Sequence, residues 1–175
     1  MPQNLELKAR VTSLSSVRAI ARSLGAHTRL VLRQVDTYIQ VADGRLKVRR
    51  FGDGTGELIY YRRDTKPGSD GRWSSYLRYP VRDPKSVLAE LTARFGIRAV
   101  VRKRREVFLI RNARIHLDAV SGLGSFFEFE VVQKHGPRQA RDLFRQLRHA
   151  FGVRDAATIG GSYVDMVSPP LRQKG

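Results

Sequence analysis

The chain has no cysteine, which excludes disulfides, thiolate nucleophiles and cysteine-ligated zinc. It has no apolar run approaching the ~20 residues that a membrane helix needs. The opening Met-Pro-Gln-Asn-Leu-Glu lacks the apolar stretch of a signal peptide, so a soluble, cytoplasmic protein is expected. There is no internal repeat, no low-complexity tract and no Lys/Arg block at a terminus, which disfavours a basic nucleic-acid arm. Acidic residues are scarce: 16 Asp+Glu stand against 33 Lys+Arg in 175 residues, a formal net charge of +17.

What is present is enough apolar residue, 41%, for a folded core, and a length that favours one domain over residues 1–175. A pI near 11.2 points to an anionic partner: nucleic acid, a nucleotide or polyphosphate, or a membrane surface. Arginine dominates over lysine, and its planar guanidinium suits phosphate because it donates two hydrogen bonds at once.

Strict alternation over 4–11 predicts a first strand, with Leu5, Leu7, Ala9 and Val11 on one side and Asn4, Glu6, Lys8 and Arg10 on the other. Ser15 or Ser16 caps a short helix closed by Gly25. Strands are expected over 28–42, 45–51, 57–64 and 73–82, with Asp43-Gly44 as a hairpin turn, a Gly-rich turn at 52–56 and a loop over 66–71. Asp83-Pro84 starts a second helix, whose apolar stripe is Val87, Leu88, Leu91 and Phe95. Further strands are expected over 97–110, 113–120 and 125–134. A third helix over about 138–151 has Ala140, Leu143, Phe144, Leu147 and Phe151 on one face, and 162–167 reads as a short extended segment.

The polar faces of these strands are rich in charge: Glu6, Lys8 and Arg10; Lys47 and Arg49; Arg62; Lys103 and Arg105; Arg114, His116 and Asp118; Glu128 and Glu130. Two arrangements fit. One is an open sheet with its polar face in water. The other is a closed or nearly closed barrel with apolar residues outward against helices and charges inward. Charges so enclosed must be paired. In that case the surplus cations call for a polyanion, and the carboxylates suit a hard divalent cation.

Leu5-Glu6-Leu7-Lys8-Ala9-Arg10 resembles the second half of the N-terminal Glu-x-Glu-x-Lys signature of the CYTH superfamily, the triphosphate tunnel metalloenzymes. The resemblance continues through Asp36-Thr37-Tyr38, Gly44-Arg45-Leu46-Lys47-Val48-Arg49, Tyr60-Tyr61-Arg62, Lys103-Arg104-Arg105, Arg114-Ile115-His116-Leu117-Asp118 and the run from Gly122 to Glu130. These motifs keep the family's order over residues 4–132. The Asp-x-x-x-Gly-Leu-Gly-x-Phe-x-Glu stretch looks most like the class IV adenylyl cyclase branch.

The resemblance implies an α+β fold: an eight-stranded antiparallel barrel, a tunnel with a charged interior and flanking helices. It implies a small-molecule triphosphate as partner, nucleotide or polyphosphate, with Mg2+ or Mn2+ as cofactor. Lys8, Arg10, Lys47, Arg49, Arg62, Lys103, Arg105 and Arg114 would bind phosphates. Glu6, Asp118, Glu128 and Glu130 would hold metal. Glu6 and Lys8, with Tyr38, would take part in catalysis, Tyr38 and Lys8 helping to activate water in a hydrolase. Asn4 departs from the signature, standing where its first Glu would be, and offers a carbonyl oxygen without charge.

The reaction expected is cyclisation of ATP to cyclic AMP and pyrophosphate. The alternatives are hydrolysis of thiamine triphosphate, tripolyphosphate or a nucleoside triphosphate, or a polyphosphate- or RNA-binding module without catalysis. His116 is read as structural or peripheral. The basic side of the third helix, Arg138, Arg141, Arg145 and Arg148, is read as solvated. Nucleic acid is a less favoured partner, no membrane is expected, and a homodimer is left open.

Overall fold

Alternation of period two dominates the chain, and its consequence is a sheet with one apolar and one polar face. The computed structural model, which describes residues 1–63, 71–154 and 157–168, closes that sheet on itself. In chain order the elements are β1 (Gln3–Arg10), α1 (Leu14–Ser23), β2 (His27–Ile39), β3 (Arg45–Phe51), β4 (Gly56–Arg63), β5 (Arg72–Val81), α2 (Pro84–Phe95), β6 (Ile97–Ile110), β7 (Ala113–Val120), β8 (Gly124–Val132), α3 (Pro137–Ala150) and α4 (Tyr163–Val167). Around the barrel the order is β1-β5-β4-β3-β2-β6-β7-β8, and β8 pairs back onto β1. Every pairing is antiparallel. The closed α+β barrel is therefore the arrangement adopted, not the open sheet.

The polar faces turn inward. The apolar faces of β1, β7 and β8 turn outward, where α1 and α3 cover them. Leu5, Leu7, Ile115, Leu117, Phe127, Phe129 and Val131 pack there with Val17, Ala21, Ala140, Leu143, Phe144 and Leu147. The Phe129 ring lies between Phe127, 5.7 Å away, and Phe144, 5.0 Å away.

The helices start where side chains can satisfy their free N–H groups. Ser13, not the expected Ser15 or Ser16, caps α1 by accepting from the Ser16 amide, and Asp83 accepts from the Lys85 and Ser86 amides ahead of Pro84. Gly44 turns the β2–β3 hairpin at φ +67, and a Cβ there would lie 2.7 Å from the Tyr60 hydroxyl, so shape as well as backbone favours glycine.

A second apolar cluster lies inside the barrel, at one end. Tyr38, Ile59, Tyr61, Val101, Val120 and Phe126 meet Tyr163 and Val164 of α4. The segment 162–167, expected to be extended, forms this helix because Ser162 and Asp165 cap each other's backbone amides at its first turn. Asp165 also accepts from Arg45 at 2.9 Å and from Arg98 at 2.8 Å, which ties α4 to β3 and β6. One end of the tunnel is thus sealed.

The strand expected over 28–42 ends at Ile39, and the loop expected over 66–71 lies, as far as 70, outside the described residues. Among the described residues no helix is long and apolar enough to cross a membrane.

Phe129→Ala should lower the unfolding free energy by about 3–5 kcal/mol, measured by denaturant titration, because it empties a fully buried ring site between strand and helix.

Candidate active site

The open end of the barrel leads into a cavity of about 580 Å³. Its walls differ in sign. On β2, β3 and β6 the wall is basic. Asp36, almost wholly buried, accepts from Lys47 at 2.8 Å, from Arg49 at 2.7 and 2.9 Å, and from Lys103 at 2.7 Å. One carboxylate thus holds three cations. Burial works to raise its pKa, but Arg49, Lys103 and Lys47 outweigh it and hold the carboxyl well below its ordinary range.

The facing wall, on β1, β7 and β8, is acidic. Glu128 accepts from Lys8 at 2.9 Å and from Arg105 at 2.9 Å, with His116 Nδ1 3.5 Å away. Glu130 pairs with Arg114 at 2.7 Å, and Glu6 with Arg63 at 2.5 Å. Burial raises the Glu6 pKa against the pull of Arg63, while Glu128 and Glu130 are held down by their cations despite burial.

Two lysines in this space, Lys103 and Lys47, lose basicity to burial. Lys103 is pushed down to about 8 by burial, which Asp36 only partly offsets, and Lys47 is also pushed well down. Tyr38 is buried against Lys47, which donates to its hydroxyl at 3.4 Å, and burial holds the phenol protonated. Lys8 lies elsewhere, over the Tyr163 ring and beside Glu128, so the structure does not pair it with Tyr38.

Three expected site residues fall outside the cavity wall. Arg62 faces outward, bonds to Tyr60 and Asp43, and is replaced inside by Arg63. The strand is one register step from the expected one, and a single step turns every side chain to the other face. Arg10 lies past the seal: it donates to the Leu123 carbonyl at 2.5 Å and stacks on Phe126. Asp118 is buried completely and taken, accepting from Arg105 at 2.7 and 2.6 Å and from the Tyr163 hydroxyl at 2.7 Å. Its carboxylate orients Arg105 and anchors the seal.

His116, set aside by sequence reasoning, replaces Asp118 as a candidate ligand. One atom each of His116, Glu128 and Glu130 lie within 4.8 Å of one another. His116 Nδ1 is buried without a hydrogen-bond partner, and burial lowers its pKa, favouring the neutral, ligating ring. The Asn4 side-chain oxygen is likewise buried and unpartnered. These donors fit a divalent cation, and one nitrogen beside two carboxylates suits manganese at least as well as magnesium.

Asp36 was also missed as a site residue. Its signal was a lone carboxylate in an otherwise uncharged run, Val35 to Ile39, ahead of a hairpin returning with Lys47 and Arg49.

A barrel closed around walls of opposite sign defines a tunnel protein built to hold a polyanion together with a cation. The CYTH domain profile matches residues 2–163, and the chain belongs to the CYTH domain family. CYTH domain proteins are metal-dependent enzymes of adenylyl cyclase-like or triphosphatase type.

Among solved structures, the chain is similar to the PH1012 protein of Pyrococcus horikoshii, with 23% identity and TM-score 0.80, covering 93% of this chain and 98% of that one. It is similar to a Vibrio parahaemolyticus protein titled a "putative adenylate cyclase", with 18% identity and TM-score 0.74, covering 94% and 97%. It is also similar to a Hippeastrum protein whose title records a dominant triphosphatase activity, with 15% identity and TM-score 0.67, covering 99% and 98%. At these identities the likeness is one of fold. No curated protein matches the chain at a significant level.

Two outcomes follow from the basic wall. Asp36→Asn should cost about 3–5 kcal/mol of stability in a thermal or denaturant melt, because it leaves three buried cations without their shared anion. Lys103 is cationic below about pH 8 and loses its charge as pH rises through that value. For a triphosphate substrate, kcat/KM should therefore fall above about pH 8, and Lys103→Arg should lessen that fall, the remainder belonging to Lys47, which burial also pushes down.

Proposed function

We propose that this protein is a metal-dependent triphosphatase that takes its substrate phosphate-first through the open end of the tunnel. The observation that carries this reading is the depth of Glu128. It stands one inward-facing position from Phe126, in the sealed half, opposite both Lys8 and His116 in the strand register. A triphosphate entering from the open end brings its terminal phosphorus to that level, beside Lys8 and Arg105. Its remaining oxygens face Lys103, Lys47 and Arg49.

Each of these cations now shares a carboxylate with another cation, so phosphate oxygens can replace part of that pairing without stripping a charge bare. Arg63 and Arg114 serve the acidic wall, holding Glu6 and Glu130 in place. His116, Glu128 and Glu130 would hold Mg2+ or Mn2+, which would supply charge neutralisation and acidify water. Among the carboxylates Glu6 has the raised pKa, so it suits the receipt and return of a proton near the attacked phosphorus.

Cyclisation of a nucleoside triphosphate is the second reading. Leu30, Leu32, Phe51, Val107 and Leu109 form an apolar ledge towards the mouth, where an organic group on the triphosphate would rest. Attack there would fall on the inner phosphorus of the chain, further from Glu128.

Incubation with Mn2+ and either ATP or tripolyphosphate should release orthophosphate. Glu128→Gln should lower kcat by about 10²–10³-fold while leaving triphosphate affinity nearly unchanged. Cyclic AMP with pyrophosphate would establish the second reading instead. Tight binding with no product from either substrate would leave a binding module and overturn both.

A further inference from the structure

The tunnel does not account for the charge of the chain. Its inward cations, chiefly Lys8, Lys47, Arg49, Arg63, Lys103, Arg105 and Arg114, nearly balance Glu6, Asp36, Asp118, Glu128 and Glu130. Almost the whole net charge of +17 therefore lies on the outer surface.

Part of it lies on one face of the sheet. The outward residues of β2, β3 and β6 include Arg33, Arg50, Arg102 and Arg104, which line a groove of about 610 Å³ running over the barrel wall. In the strand register Arg33 stands directly opposite Arg104, while Val35 stands between Arg50 and Arg102. Like charges opposite each other across strands destabilise a sheet, so this placement opposes folding.

Little on the face compensates it. Arg104 pairs with Glu106, but Glu106 is shared with Arg18. Asp53, on the neighbouring β3–β4 turn, accepts from Thr55. Among the described residues no carboxylate pairs with Arg33, Arg50 or Arg102, and the Arg50 Nε is buried without any hydrogen-bond partner.

From this we infer that the outer groove is a second, separate anion site, which takes the phosphodiester backbone of a nucleic acid without reading its sequence. Several chemical features select that partner. The groups are arginines, whose forked donors match phosphate oxygens. They are repeated along and across strands, as a chain of regularly spaced charges requires, with neighbours on β6 about 6.6 Å apart along the strand. The lining of the groove joins the arginines to Val35, Gly52, Ala119, Ser121 and Ser125, with no carboxylate among the lining residues, so the contact is chiefly electrostatic. Phe51 lies at the border between this groove and the tunnel mouth and offers a face on which a base can stack.

The test is fluorescence anisotropy with a labelled 20-nucleotide single-stranded RNA bearing a 5′-hydroxyl, which offers the tunnel no triphosphate. The wild type should bind with Kd of about 1–100 µM near physiological salt. The triple variant Arg33→Gln, Arg50→Gln, Arg102→Gln should bind about tenfold or more weakly, with a salt slope smaller by about two. The lysine version of the same triple should recover most of the affinity, which excludes misfolding as the cause. Arg138→Gln, Arg141→Gln, Arg145→Gln removes equal charge from α3 and should change Kd by less than about threefold. Equal weakening by the groove and α3 triples would overturn the proposal, as would the absence of RNA binding below about 1 mM. Groove-dependent binding to anionic phospholipid vesicles without binding to RNA would overturn it as well.

Discussion

The rest of this structure depends on buried carboxylates that each hold more than one cation. Asp36 gathers Lys47, Arg49 and Lys103, and Glu128 gathers Lys8 and Arg105. An unpaired charge in the barrel would cost several kcal/mol, so an interior of one sign could not fold. Sharing solves that problem and leaves each cation incompletely satisfied. In the function proposed above, a polyanion takes over part of that pairing while the carboxylates on the opposite wall hold a cation. Stability and readiness for ligand arise from the same contacts.

The seal gives this charged space a direction. Tyr163 reaches into the barrel from α4, stacks edge-on with Phe126 at 4.9 Å and donates to Asp118. Asp165 holds the helix from outside through Arg45 and Arg98. With one end filled by apolar side chains, the cavity is reached from the other end. Along the tunnel the groups are ordered: an apolar ledge near the mouth, and Lys8, Glu128 and the lysine-rich wall towards the seal.

The near balance of charge inside also explains the outside. A net charge of +17 on a chain whose interior is almost neutral must be carried by the surface. Part of it lies on the outward faces of β2, β3 and β6, while the outward faces of β1, β7 and β8 are apolar and covered by α1 and α3. The two faces of the same closed sheet thus do different work around its circumference: packing on one side, exposed charge on the other.

Much of this was legible in the sequence by itself. Period-two patterning located the eight strands, and the Ser, Asp-Pro and Gly-Pro signals located three helices, because both depend on local backbone chemistry. The ordered motifs from Glu6 to Glu130 carried the family and the closed barrel. Tertiary structure alone decided the parity of β4, since neighbouring arginines at a strand end leave alternation no way to choose between Arg62 and Arg63. It alone showed that Asp118 is consumed by Tyr163, 45 residues further along the chain, and that His116 takes the place beside Glu128 and Glu130. The same holds for Arg10, whose alternation is right but whose strand runs past the seal. Local patterning records which way a side chain points relative to its neighbours; what it meets there is set by segments distant in sequence.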